Sequence, residues 1–385
     1  MWHAGVMGRS GERRRVWAAG AAVVLIGATV VVAVAAGDRL RPDSGGNPNG
    51  PNGSDGTSRS DADGAETMTR ARALLAEPSE ADTARSLATL RKVDDHPLYE
   101  MTYYGPAPRV DERPADQSLP APAGEGRKPF ACTVFAAVGD TQRPIFGRNF
   151  DWDPNPALIL HANPTGAYRS VSIVDTSYLG FDRSTVADLD DPVKRTALMR
   201  AIKLPFDGMN EHGLVVGMAS VDAVAEVKPG RPAVGSVAIM RLVLDQARTV
   251  DEGVAVLGSY NIDFDGGPGL HYILADATGA SAIVEFVDGR MHVLPRAAGD
   301  TWQVMENFHV SVADDGDRNR PRYRTATQRL RDAGGNPGAP AALDLLREVA
   351  QNHTQWSAVY DLTTRSVSVY TDKRRDRVHE FPWPF

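Results

Sequence analysis

The stretch from Val16 to Gly37, VWAAGAAVVLIGATVVVAVAAG, carries no charge and is preceded by Arg13, Arg14 and Arg15. A helix needs about 20 apolar residues to cross a hydrocarbon core, so this run is long enough to span one. It has no polar face that would mark it as a helix packed on a soluble core. Residues 1–37 therefore read as a transmembrane signal-anchor, with the arginines holding the leading tail inside and the remainder exported. Ala33-Val34-Ala35 is a small-x-small cleavage site, which keeps a cleaved export signal open as the alternative. Residues 38–65 are rich in Gly, Asn, Pro, Ser and Asp and nearly lack apolar side chains. Such a segment cannot bury enough surface to offset its ordering entropy and reads as a disordered linker. Any globular fold must be built from residue 66 onward.

Between 66 and 92, apolar residues recur at spacings of three and four (Ala71, Leu74, Leu75, then Ala84, Leu87, Ala88), which predicts helix. Pro78 divides the pattern, and Ser79-Glu80-Ala81-Asp82 reads as a helix start. Leu98–Tyr104 is an apolar and aromatic strand. Pro, Ala, Gly and Glu dominate 105–127, which reads as an exposed loop running up to Cys132, a reasonable place for a chain cleavage.

From Phe130 the texture changes. FACTVFAAV is small, apolar and β-branched, a strand signature, and RPIFGRNFDW is a second strand across a Gly139–Gln142 turn. Further on, Val234–Gln246 reads as a helix and Thr249-Val250-Asp251-Glu252 as the capped start of another. LHYILAD, SAIVEFV and RMHVL read as three strands joined by short turns. Ala341–Gln351 reads as a helix, and WSAVYDL with SVSVYTD as a last hairpin. Strands, paired helices, then strands give an α+β class.

The chain has one cysteine, Cys132, so no intramolecular disulfide is available. Its formal charge of −7 leaves no basic field for nucleic acid. The sequence lacks H-E-x-x-H, paired cysteines and any acidic loop with calcium spacing, so no metal is expected. Gly266-Gly267-Pro268-Gly269 lacks the spacing of a nucleotide fingerprint, and no cofactor is expected either.

CTVFAA followed by GRNFDW resembles the linear amide C–N hydrolase superfamily, the cysteine N-terminal-nucleophile group that includes choloylglycine hydrolases, penicillin V acylase, acid ceramidase, N-acylethanolamine acid amidase and carcinine hydrolase. Arg148 and Asp151 follow Cys132 by 16 and 19 residues, as in that family. FDGMNEHGLVVGMASV, VMENFHVS, RPRYRTATQRL and WSAVYDLTTRSVSVY resemble its later segments. LRKVDDHPLYEMTYYG resembles the pro-segment of the subgroup nearest carcinine hydrolase. The resemblance covers residues 90–385. It implies a pro-segment at 66–131, a catalytic domain at 132–385, a four-layer αββα sandwich (the Ntn-hydrolase fold), and self-cleavage before Cys132.

What the resemblance implies for the site is chemically coherent. A thiol with a reference pKa of about 8.5 needs a base or an activating neighbour. No histidine is well placed in sequence. The α-amine freed by cleavage before Cys132 would sit on the residue that bears the nucleophile, making one residue both nucleophile and base. By resemblance Arg148 activates the thiol, Asp151 orients the amine, Asn307 donates to the oxyanion, and Arg322 holds the network together. Arg320 and Arg324 flank Arg322 in NRPRYR and compete for the last role. Glu306 and His309 read as structural. The segment after the M-N-E-x-G-L turn, Ser220–Asp222, departs from the bile-acid members, so their substrate preference does not carry over.

The expected function is hydrolysis of a small-molecule linear carboxamide through an acyl-cysteine intermediate, by a protein anchored in the cell membrane with its catalytic domain outside the cytoplasm, or secreted. The alternatives are an N-acyltransferase on the same fold and an anchored, unprocessed binding protein.

Overall fold

The computed structural model describes residues 77–108, 132–153, 155–223, 225, 227–264 and 268–385. The anchor at 1–37, the linker at 38–65, the helical pattern at 66–76 and the loop at 109–131 lie outside the described residues. Among the described residues no helix is long and apolar enough to cross a membrane.

The first element among the described residues is α1 (Glu80–Leu87), where Ser79 and Asp82 form a reciprocal capping box. β1 (Arg91–Asp94) and β2 (Leu98–Tyr103) follow. From Cys132 come β3 (Thr133–Ala137), β4 (Ile145–Asp151), β5 (Ala157–Ala162) and β6 (Ser170–Asp175). Three 3₁₀ segments occupy Thr176–Leu179, Val186–Asp190 and Lys194–Lys203. β7 (Asp207–Asn210), β8 (Val215–Ser220) and β9 (Ala233–Gly235) lead to α2 (Ala238–Gln246) and α3 (Val250–Gly258). Then come β10 (Asn261–Asp263), β11 (Leu270–Ala275), β12 (Ser281–Val287), β13 (Arg290–Pro295) and β14 (Trp302–Met305). The helices α4 (Asp315–Arg318), α5 (Pro321–Asp332) and α6 (Gly338–Glu348) precede β15 (Thr354–Asp361), β16 (Val367–Thr371) and β17 (His379–Phe381).

Two large sheets carry the molecule. One runs β1-β2-β5-β6-β7-β8-β11-β12-β13 and the other β14-β3-β4-β15-β16-β17. The second is antiparallel throughout. The first is antiparallel except at the β2–β5 ladder. Side-chain alternation explains the layering, because successive residues of a strand face opposite sides. In β3, Phe135 and Ala137 pack outward with Ile145 against Leu330, Leu345 and Leu346 of α5 and α6. Val134 and Ala136 face inward and join the core between the sheets. The two sheets approach closely there, since a methyl group on Gly217 of β8 would fall 2.8 Å from the Phe146 ring of β4. On the far side of the larger sheet, α2 covers β7 and β8, and α3 lies against β11, where Gly253 faces Leu274. The order is helices, sheet, sheet, helices, the expected αββα stacking. Strands covered on both faces read as unbroken apolar runs, and β3, β4, β11 and β15 are buried along their whole length. The edge strand β13 has no buried residue.

Several expectations are corrected. The helix expected from Val234 begins at Ala238, because Ala233–Gly235 pairs with Asn261–Asp263 as a short parallel ladder. Gly105–Pro108, expected in an exposed loop, is buried. The Ala107 amide donates to the Thr165 carbonyl and the Tyr103 hydroxyl to the Pro106 carbonyl. The strands β5, β6 and β17 have no counterpart in the sequence reading.

Candidate active site around Cys132

The β3–β4 hairpin sets the site. Its register pairs Val134 with Arg148 and Thr133 with Asn149. Cys132, Val134 and Arg148 therefore share the inner face. The next residue, Asn149, faces the helices instead, where its amide donates to the Leu346 carbonyl at 2.7 Å and accepts from Ser357. Gly147 explains the glycine of the G-R-N-x-D pattern. A methyl group there would lie 2.2 Å from the Phe135 ring, which crosses the strand at that point. Gly213, in the M-N-E-x-G-L turn, adopts φ 76° and lies under the Leu362 carbonyl. Only glycine takes that conformation without strain. Asn210 of the same turn donates to the Leu244 and Ala247 carbonyls at the end of α2, so its role is to terminate a helix.

Cys132 is buried, with its sulfur held on one side and its nitrogen on the other. Arg148 Nη2 lies 3.7 Å from Sγ. Arg148 is itself fixed in the core. Its Nη1 pairs with Asp207 Oδ2 at 2.9 Å and donates to the Phe206 carbonyl, and its guanidinium lies over the Phe150 ring. Asp207 also accepts from Trp356 Nε1 at 3.1 Å and from the Tyr360 hydroxyl.

On the nitrogen side, the Cys132 amide donates to Asn307 Oδ1 at 2.7 Å. Asn307 Nδ2 donates to the Ser220 carbonyl at 2.9 Å. Arg322, in the first turn of α5, reaches over both residues. Its Nη1 donates to the Cys132 carbonyl at 3.0 Å and to Thr133 Oγ1 at 2.9 Å, and its Nη2 to Asn307 Oδ1 at 3.3 Å. The same side chain faces Asp151 Oδ2 at 3.6 Å and pairs with Glu306 Oε1 at 2.9 Å. Asp151 accepts from Gln351 Nε2 at 2.8 Å and from the Thr354 hydroxyl.

Of the three candidate arginines, Arg322 lies in this cluster. Arg320 is exposed, pairs with Asp317 and touches the cluster at the Asn307 carbonyl, at 3.3 Å, and Arg324 is exposed. The site thus gathers Cys132, Arg148, Asp151, Asn307 and Arg322. In the uncut chain, Asn307 rather than Asp151 accepts from the Cys132 nitrogen. Sequence reasoning missed Asp207, Trp356 and Tyr360. Asp207 stands in the FDGMNEHG segment that the resemblance picked out, but nothing in the sequence pairs it with a strand 59 residues away. Among the described residues no group of His, Cys, Asp or Glu is arranged to hold a metal ion.

Burial pushes the Cys132 thiol up, and the nearby Arg148 offsets only part of this. Burial likewise pushes the Asp151 carboxyl upward, against hydrogen bonds from Thr354 and Gln351. In the uncut chain the thiol is therefore protonated at neutral pH, and its only close nitrogen on the same residue is an amide, which cannot act as a base.

The sequence model of the linear amide C–N hydrolases, choloylglycine hydrolase family, matches residues 132–307. The matched segment opens on Cys132 and closes on Asn307, the two residues whose nitrogen and amide oxygen meet. Over residues 132–307 the chain is therefore similar to the linear amide C–N hydrolases. It is an enzyme acting on carbon–nitrogen bonds of linear amides. Among solved structures, the hydrolase is similar to penicillin V acylase from Agrobacterium tumefaciens, with 19% identity, a TM-score of 0.46, and 65% of this chain and 86% of that one covered. It is also similar to a variant of conjugated bile acid hydrolase from Clostridium perfringens, with 14% identity, a TM-score of 0.45, and coverages of 65% and 92%.

Proposed function

We propose that this amide hydrolase is a cysteine N-terminal-nucleophile enzyme on the Ntn-hydrolase fold that frees its own nucleophile by cutting the bond between residues 131 and 132. The observation that carries this reading is the separate seating of the two functional atoms of Cys132, the sulfur 3.7 Å from Arg148 Nη2 and the nitrogen 2.7 Å from Asn307 Oδ1. A residue with only a packing role needs neither.

In the cut, Sγ attacks the carbonyl carbon of residue 131, the peptide nitrogen departs as an amine, and water hydrolyses the resulting thioester. The products are a carboxylate on residue 131 and a free α-amine on Cys132. In turnover that amine takes the thiol proton as Sγ attacks the substrate amide carbon. The oxyanion is met by Asn307 Nδ2, whose second proton is not needed by Ser220. The leaving amine takes the proton back, and water then hydrolyses the acyl-cysteine. Arg148 stabilises the thiolate, while Asp151 and Arg322 hold the Cys132 main chain in place. The substrate is a small-molecule carboxamide. The uncharged run at 16–37 exports the enzyme and anchors it in the cell membrane, with the catalytic part outside.

The test is the intact mass of purified protein. Two fragments, one beginning at Cys132, are expected for the native chain and one uncut chain for Cys132→Ala. A cut Cys132→Ala chain would refute self-cleavage. A panel of N-acyl amino acids, N-acyl amines, penicillin V and β-alanyl amides identifies the substrate, and no turnover by Cys132→Ala is expected on any member.

A further inference from the structure

Glu306 directly precedes Asn307 and is 1% exposed. Its Oε1 pairs with Arg322 Nε at 2.9 Å, while its Oε2 is buried without a hydrogen-bond partner. Buried carboxylate oxygens in folded proteins almost always have a donor, so an unpartnered one calls for a reason. Because Glu306 holds the Nε edge of Arg322, the two terminal nitrogens are left to face the Cys132 carbonyl, Thr133, Asn307 and Asp151.

Charge adds a second argument. The groups facing the Glu306 side chain are Arg322 and Tyr323 of α5, Arg320 just ahead of it, Asp317 of α4 and Asp151 of β4. His271 of β11 is buried near the Glu306 main chain and bonds through Nδ1 to Glu285 at 3.1 Å. Arg320 is matched by Asp317 at 2.7 Å, and on the sulfur side Arg148 is matched by Asp207. Arg322 is left between two buried carboxyls, Asp151 and Glu306. Setting aside His353, which also faces Asp151, the cluster beside the Cys132 nitrogen thus holds one more acid than base while that nitrogen is an uncharged amide. Burial pushes both carboxyls upward, the direction in which a proton on the pair would relieve the excess. A free α-ammonium would relieve it instead.

We infer that Glu306 is a positioning residue of the proposed reaction, one that locks Arg322 against Cys132 and supplies the negative charge balanced by the α-ammonium that the cut creates. This rests on the reading that Cys132 becomes the N-terminal residue. Its consequence is a sign. A carboxylate in this place favours the protonated amine and the protonated thiol, so removing its charge must lower the pH at which the thiol–amine pair loses its proton.

Cys132 is the chain's single cysteine, so alkylation by iodoacetamide reports on it alone and needs no substrate. In the cleaved full-length protein, Glu306→Gln should move the midpoint of the alkylation rate against pH down by about one unit, a tenfold change in proton affinity. Glu306→Asp, which keeps the charge, should stay within about 0.3 unit of the native midpoint. A residue that only packs would leave the midpoint of both variants unchanged, and an unmoved midpoint in cleaved Glu306→Gln overturns the inference. Should Glu306→Gln be uncut or unfolded, Glu306→Ala, which also removes the charge, is read in its place: a midpoint lower by about a unit supports the inference, and an unmoved midpoint refutes it. A native chain that is never cut would instead refute the proposed reaction.

Discussion

Arg148 and Asp207 form an ion pair of 2.9 Å in which neither side chain touches solvent. The carboxylate is further bonded by Trp356 and Tyr360. Breaking a buried pair by removing one partner leaves an uncompensated charge and costs about 3–5 kcal/mol. Asp207→Ala should therefore lower unfolding stability by about that amount, measured by urea denaturation. A loss below about 1 kcal/mol, typical of an exposed pair, would show that Asp207 does not hold Arg148.

Gly147→Ala tests the register of the hairpin. The added methyl meets the Phe135 ring, which is itself packed between Gly147 of β4 and the outer helices. Overpacking of this kind costs about 1–3 kcal/mol. The melting temperature should fall, and turnover with it, because the ring can give way only by parting the strand that follows Cys132 from the strand that carries Arg148. An unchanged melting temperature would mean that Phe135 has room to move.

Asn307→Ala removes the acceptor on the Cys132 nitrogen and the amide proposed for the oxyanion. Turnover should drop by about 100-fold or more. Self-cleavage should slow as well, since the nitrogen loses the contact that seats it. Near-normal turnover in a folded Asn307→Ala protein would take Asn307 out of the site.

The proposed cut falls between β2 and β3, yet β2 is paired along its length with β5. Asp94 of β1 is bonded by Arg374 at 2.8 Å and His379 at 2.7 Å, residues near the end of the chain. The two pieces should therefore elute together in size-exclusion chromatography and separate only in denaturant. Burial pushes the Asp94 carboxyl up, but the bonds from His379, Arg374 and the His96 amide outweigh it and hold the group well below the usual carboxylate range. Its stabilising effect is thus complete above the ordinary value of about 3.9 and fades as the pH falls below it. Acid between pH about 4 and 2 should weaken the association in the native protein. Asp94→Asn should weaken it already at neutral pH and flatten the acid dependence. A variant with the native acid profile would exclude Asp94 as the titrating group.

The sequence by itself determined the local pieces. The Ser79 cap, the β3–β4 hairpin, the three strands from Leu270 and the last hairpin are set by side-chain chemistry within a few residues, and a pattern of neighbours reveals them. The spacing of Cys132, Arg148 and Asp151 was legible through the family resemblance, while the register that turns that separation into proximity was set by the folded hairpin. Only the tertiary structure decided that Arg322, and not Arg320 or Arg324, lies over Cys132, since three arginines alternate there and the packing of α5 on the smaller sheet chooses which one points in. It alone brought Asp207 from the opposite sheet to Arg148 and set Glu306 against Arg322. Pairings across two sheets depend on which faces are buried against each other, and that choice is made by the whole core and leaves no local mark on the chain.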